Sequence, residues 1–158
     1  VIKLSPTEID KVVISGRKLH KLNRLEAQTM AKVIETLQPE IAYVDASDVL
    51  PERYKYHIME YLPFDVKIIS EHKADAKYPV VSAASIIAKV ERDKAISELT
   101  AKYGNMGCGY ATDPKTLEFL EEWIRKFGSY PDFVRLSWEP ARRIKGEIKT
   151  TQTEITTK

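Results

Sequence analysis

The sequence predicts an α/β fold, and three observations predict it. Two short apolar runs, residues 41–45 and 65–70, are rich in Val and Ile and have the length of buried strands. Each follows a stretch of helical periodicity closed by a proline, Pro39 in the first case and Pro63 in the second. The order helix, strand, helix, strand is that of parallel strands joined by right-handed crossovers. At 158 residues, with 43% hydrophobic and 30% charged, the chain is long and apolar enough for one globular domain with a core.

Residues 1–4 read as a short strand, with no start methionine ahead of them. Residues 5–21 are mixed, with a turn expected at Ser15-Gly16 and basic residues at Arg17, Lys18, Lys21 and Arg24. A phosphate-facing basic segment and a solvated surface both fit that stretch, and the solvated surface is favoured. From Asn23 the pattern is helical: Leu25, Met30, Val33, Ile34 and Leu37 share a face, and Asn23 with Glu26 resembles a capping pair.

Residues 41–49, I-A-Y-V-D-A-S-D-V, form the stretch around which the rest is arranged. Strand ends are where open α/β sheets bind ligands, and this strand ends on Asp45. Asp45 and Asp48 are open to two readings, a metal or proton site or a cap for the helix that starts near Pro51. That helix, residues 51–62, turns Tyr54, Ile58, Met59 and Leu62 inward. The polar loop 71–75, with His72 and Lys73, follows the second strand and belongs to the same sheet edge as Asp45.

Residues 81–103 form a long helix with Ala83, Ile86 and Val90 as its apolar stripe. At 100° per residue Asp93 projects onto the edge of that stripe, away from Arg92 on the solvated side. A carboxylate there must be paired, protonated or bound to a cation. A salt bridge to a basic residue is the competing structural reading.

The loop 103–114 carries three glycines and delivers Tyr110 just before a helix capped by Asp113 and Pro114. Leu117, Leu120, Trp123, Ile124 and Phe127 form the buried face of that helix, and Gly128 ends it. The loop admits either a close-approaching sugar or phosphate, or a plain glycine turn with Tyr110 in the core. It is not G-x-G-x-x-G and follows no strand, so a dinucleotide fold is not indicated. Two short helices are expected at 131–137 and 140–148, the second bearing Arg142, Arg143 and Lys145, with a polar, disordered tail at 149–158.

A formal net charge of +2 permits a polyanionic partner without demanding one. The single cysteine, Cys108, excludes an internal disulfide and fits a reducing cytosol, and no apolar run has the length of a membrane span. A cytoplasmic location is expected.

Five motifs in order, Y-V-D-A-S-D-V, H-K-A-D, P-V-V-S-A-A-S-I-I-A-K-V-E-R-D, G-C-G-Y-A-T-D-P-K-T and S-W-E-P-A-R-R-I, resemble ribonuclease HII, particularly its archaeal forms. The resemblance runs from Val1 to about Ile144. It implies a ribonuclease H-like fold, a mixed sheet flanked by helices, with a catalytic domain over residues 1–128, a C-terminal helical region over 129–148 and the tail beyond. It implies a metal-dependent endonuclease, using Mg²⁺ or Mn²⁺, that hydrolyses the RNA strand of RNA-DNA hybrids and cuts at ribonucleotides embedded in DNA. Asp45 and Asp93 would be catalytic metal ligands converging on one cation, and Tyr110 would pack on the deoxyribose beside the junction. His72 and Lys73 at the same edge fit either a supporting role in substrate binding or ordinary surface residues, and the surface reading is favoured.

The family's acidic pair, in a D-E-A-G-R-G motif on its first strand, does not occur in this sequence, nor does its D-S-K motif. Val1 aligns with the family's third strand, so the first two strands are expected to be missing. On that reading the sheet has bare edges and the chain alone is poorly folded, aggregating or partnered. Cleavage would then require a D-E-A-G-R-G segment in cis or in a second chain, the complete enzyme being a monomer. Two other readings stay open: a non-catalytic nucleic-acid-binding or assembly fragment, and a different Mg²⁺-dependent phosphatase using Asp45 and Asp48.

Overall fold

A computed structural model describes the backbone of residues 1–14 and 21–156, and the side chains of that range through residue 148. The elements run α1 (Pro6–Ile14), α2 (Lys21–Leu37), β1 (Ile41–Asp45), α3 (Pro51–Met59), β2 (Lys67–Glu71), α4 (Ala74–Lys77), α5 (Pro79–Tyr103), α6 (Pro114–Phe127) and α7 (Glu139–Thr156). They divide into two compact units, Val1–Leu4 with Ser15–Val90, and Ser5–Ile14 with Glu91–Lys158. The expected domain boundary at residue 128 therefore falls inside the second unit.

In the first unit β1 and β2 pair in parallel, in the register Ile41↔Lys67 to Asp45↔Glu71. Alternation does the sorting: Ala42 and Val44 of β1 and Ile68 of β2 face the core, where Tyr54 and Ile58 of α3 meet them. Ala27 and Ala31 of α2, one turn apart and both buried, let that helix approach closely, and Ile34 completes the contact. The chain leaves α2 through Gln38 in the left-handed region, at φ 47°, whose amide donates to the Ile34 carbonyl at 2.9 Å.

Several expectations need correction in this unit. Residues 1–4 form no strand: Val1 and Ile2 are exposed, and the sheet has two strands among the described residues instead of the mixed set. Asn23 lies inside α2 and does not cap it, since its side-chain amide donates to Asp48 at 3.4 Å. The Ser15-Gly16 turn, Arg17 and Lys18 lie outside the described residues, while Arg24 pairs with Glu60 at 2.9 Å on the surface. Met59 is exposed, and α3 stops there, ahead of Leu62.

The stripe of α5 is not buried either. Ile86 and Val90 stand 58% and 48% exposed, and Val81 is the buried residue of this helix.

The second unit is built on α6 and α7, with Leu120, Ile124, Val134, Ala141, Ile144 and Ile148 as its core. Tyr103, Trp123 and Phe133 stack beside it, with ring centroids 4.7 to 6.1 Å apart. Asp113 caps α6, accepting the Lys115 amide at 3.1 Å, and Gly128 ends it in the left-handed region, as the sequence indicates. Phe127 is the exception on that face: it is 54% exposed.

Residues 131–138 form turns in place of a helix, because the buried Asp10 of α1 accepts the amides of Leu136 and Ser137 at 2.7 and 2.8 Å. Burial pushes the Asp10 carboxyl up, yet hydrogen bonding from Ser137 and Leu136, with the charge of Arg135, brings it below its ordinary value. The helix expected at 140–148 begins at Glu139 and runs to Thr156, into the stretch expected as a polar tail. No helix among the described residues is long and apolar enough to cross a membrane.

Candidate functional site

In the first unit, Asp45 ends β1 with its side chain exposed. Its Oδ1 accepts the Ala74 amide at 3.2 Å, which ties the strand end to the turn after β2. Lys73 makes that turn in the left-handed region, at φ 54°, and this points the Ala74 amide at the carboxylate. His72 and Lys73 are both exposed, and His72 Nε2 donates to the Val49 carbonyl at 3.1 Å. Glu71, opposite Asp45 in the register, is engaged by Lys77 and by the Tyr78 hydroxyl, and Lys77 above all holds its carboxyl below the usual range.

Asp48 behaves differently from Asp45. It is 1% exposed, and Arg53 Nε reaches both of its oxygens at 3.0 Å. The Leu50 amide donates to it at 3.0 Å as well. Arg53 is the main reason its carboxyl lies far below the ordinary value, outweighing the cost of burial, with Leu50 and Asn23 adding to the effect. Both oxygens are thus engaged inside the protein, by Arg53, Leu50 and Asn23, which makes Asp48 a structural anchor for the β1–α3 turn. Beside it Tyr54 is buried, and burial pushes its hydroxyl up.

In the second unit Asp93 does not lie on a core-facing edge. Its side chain is 72% exposed, and Arg92 Nη1 donates to its Oδ1 at 3.2 Å. Arg92, expected on the solvated side, is the more enclosed of the two at 31%. Its guanidinium lies 3.8 Å over the ring of Tyr110, and its Nη2 donates to the Cys108 carbonyl at 2.7 Å. Tyr110 is 51% exposed, so it is not a core residue.

The glycine loop around Tyr110 is fixed from the α6 side. Asp113 Oδ2 accepts the Cys108 amide at 2.6 Å, the first cause of its lowered carboxyl, and Thr116 Oγ1 accepts the Gly109 amide at 2.9 Å while donating to the Met106 carbonyl. Gly107, at φ 68°, passes so close that a Cβ there would sit 2.3 Å from Asp113 Oδ2.

Asp45 and Asp93 belong to different units, each with one oxygen that no described residue engages. Hard anionic oxygens of this kind suit Mg²⁺ or Mn²⁺ as ligands. The fit is partial, since among the described residues no three His, Cys, Asp or Glu side chains gather into a metal-binding group. Sequence reasoning missed Arg92 as part of the Tyr110 environment. The signal available was its adjacency to Asp93, which a helical projection assigns to solvent.

The fold and site define an α/β protein that presents a carboxylate at the C-terminal end of a parallel strand. Residues 2–141 match the family model for ribonuclease HII. Ribonuclease HII of Pyrococcus abyssi is 44% identical over 154 residues, which cover 96% of this chain and 66% of that protein. The Pyrococcus furiosus ribonuclease HII is 44% identical over 158 residues, covering 99% and 68%. Among solved structures, ribonuclease H2 from Pyrococcus horikoshii OT3 superposes with a TM-score of 0.80 at 43% identity, over 92% of this chain and 67% of that one. Ribonuclease HII in a complex with PCNA from Archaeoglobus fulgidus gives 0.79 at 42%, over 91% and 67%.

The chain belongs to the ribonuclease HII family, and its fold is that of the family's solved members. It spans about two thirds of the length of these relatives.

Proposed function

We infer that the chain forms part of an endonuclease that hydrolyses the RNA strand of RNA-DNA hybrids and cuts at ribonucleotides embedded in DNA, acting as a cytoplasmic monomer. The observation that carries this reading is the family match across residues 2–141, which includes Asp45, Asp93 and Tyr110. Asp45 and Asp93 are the carboxylates that would hold Mg²⁺ or Mn²⁺, with further ligands needed to complete the site. The metal, when bound, supplies Lewis-acid charge and lowers the pKa of a bound water.

The protein's own groups then have separable tasks. Asp45 is held at the strand end by the Ala74 amide, so one oxygen stays directed while the other remains open. Tyr110 offers its free ring face to the sugar beside the ribonucleotide, whose 2′-hydroxyl distinguishes RNA from DNA. His72 and Lys73 stand exposed on the loop beside Asp45, where a cationic side chain approaches the phosphate backbone. The phosphatase reading that pairs Asp45 with Asp48 is disfavoured, because Arg53 and the Leu50 amide occupy Asp48.

The test uses the protein carrying this chain, with a DNA duplex bearing one ribonucleotide and a long hybrid, in Mg²⁺ and in Mn²⁺. Cleavage is expected, and Asp45→Asn or Asp93→Asn should reduce it by orders of magnitude. Cleavage unchanged in both variants would sink the assignment, and binding without cleavage in either metal would favour a non-catalytic subunit.

A further inference from the structure

We propose that Arg92 is a positioning residue that fixes how Tyr110 is presented to the substrate. The proposal rests on the reading of Tyr110 as the sugar contact. One guanidinium makes three contacts at once: over the Tyr110 ring at 3.8 Å, to the Cys108 carbonyl at 2.7 Å, and to Asp93 Oδ1 at 3.2 Å. A planar cation at that distance lies within the range of a cation–π contact.

The loop is shaped to admit this group. At Gly109, φ 76°, a Cβ would meet Arg92 Nη2 at 3.1 Å and Ile96 Cδ1 at 3.0 Å, so the absence of a side chain lets the backbone close over the guanidinium. Arg92 is thus clamped between α5 and the loop, and it covers one face of Tyr110. The ring stays 51% exposed, which leaves its other face for a ligand.

A half-exposed tyrosine on a glycine loop would otherwise sample several rotamers, and binding would have to select one. Holding the ring in advance removes that ordering cost from substrate binding. Lysine cannot substitute, because a point charge lacks the planar fork that stacks on a ring while donating to a carbonyl.

The test measures Kd for an uncleavable DNA duplex with one ribonucleotide, using the protein carrying this chain and its Arg92→Ala, Arg92→Lys, Tyr110→Ala and Arg92→Ala/Tyr110→Ala variants, with Tm for each. Loss of ring stacking weakens binding about tenfold in Tyr110→Ala. Arg92→Ala should weaken it by a similar factor, and the double variant should bind no worse than the weaker single one, since both remove the same contact. Arg92→Lys should show most of that loss with Tm unchanged, a result that a merely structural role would not give. Single effects that multiply to about a hundredfold in the double variant, or Arg92→Ala and Arg92→Lys both binding as the parent does, would overturn the proposal. An unchanged Kd in Tyr110→Ala would instead remove the reading of Tyr110 on which it rests.

Discussion

Replacing Asp48 separates stability from chemistry at the end of β1. Its carboxylate is buried and accepts Arg53 Nε on both oxygens at 3.0 Å, the Leu50 amide at 3.0 Å and the Asn23 amide at 3.4 Å. Hydrogen bonds to a charged group contribute about 1.5 to 3 kcal/mol each and do not add fully. Asp48→Ala strands the Leu50 amide and the Arg53 guanidinium, but Arg53 is 34% exposed and water recovers part of the loss. The net cost should be about 3 kcal/mol, which lowers Tm by about 6 to 12 °C in a domain of this size. Asp48→Asn keeps an acceptor for Leu50 and should lose less.

The pH dependence has a definite sign. Asp48 has a folded pKa below its unfolded value, so its contribution is complete above the unfolded pKa of about 3.9 and is lost as pH falls toward the folded one. The stability gap between the parent and Asp48→Asn, measured by urea unfolding followed by circular dichroism, should therefore be constant from about pH 7 to 5 and shrink below about pH 4. A gap that widens on acidification, or a cost under about 1 kcal/mol for Asp48→Ala, would refute the anchoring role.

Two further outcomes follow from the geometry. Gly107→Ala places a Cβ 2.3 Å from Asp113 Oδ2 and 2.8 Å from the Thr116 amide at φ 68°, so it should open the glycine loop and lower both Tm and affinity for a hybrid, and parental values of both would refute the account of the loop. Ile87→Glu replaces a side chain that is 55% exposed, so urea unfolding should place it within about 0.5 kcal/mol of the parent, and a loss above about 1 kcal/mol would show the residue to be packed.

The parallel pair was legible because period-two burial and closing prolines act locally. Residues 1–4 were not, since apolar residues make a strand only where a partner strand accepts their hydrogen bonds. The start of α1 is readable locally: S-P-T-E is a capping box, in which Ser5 Oγ accepts the Glu8 amide at 3.3 Å and Glu8 Oε2 accepts the Ser5 amide at 2.8 Å, with Pro6 at the first helical position. The turns at 131–138 lay beyond local reading, because the carboxylate that fixes them comes from Asp10, 126 residues before Leu136. The roles of Asp45 and Asp48 separated only when the structure placed Arg53 against Asp48 and left Asp45 exposed.

The placement of Asp93 shows where a helical projection fails. Apolar residues in the first half of α5 occur at 80, 81, 83, 84, 86, 87, 88 and 90, on every side of the helix, so no single stripe is defined there and the edge assigned to Asp93 had no physical content. In the structure that carboxylate is on the surface, paired with the side chain of the preceding residue. An exposed pair of this kind contributes at most about 1 kcal/mol, and neither burial nor a core network requires an acid at the position. Packing thus gives no account of Asp93, and the oxygen that Arg92 leaves open is the atom the proposed cation role would use, against the competing charge of that guanidinium.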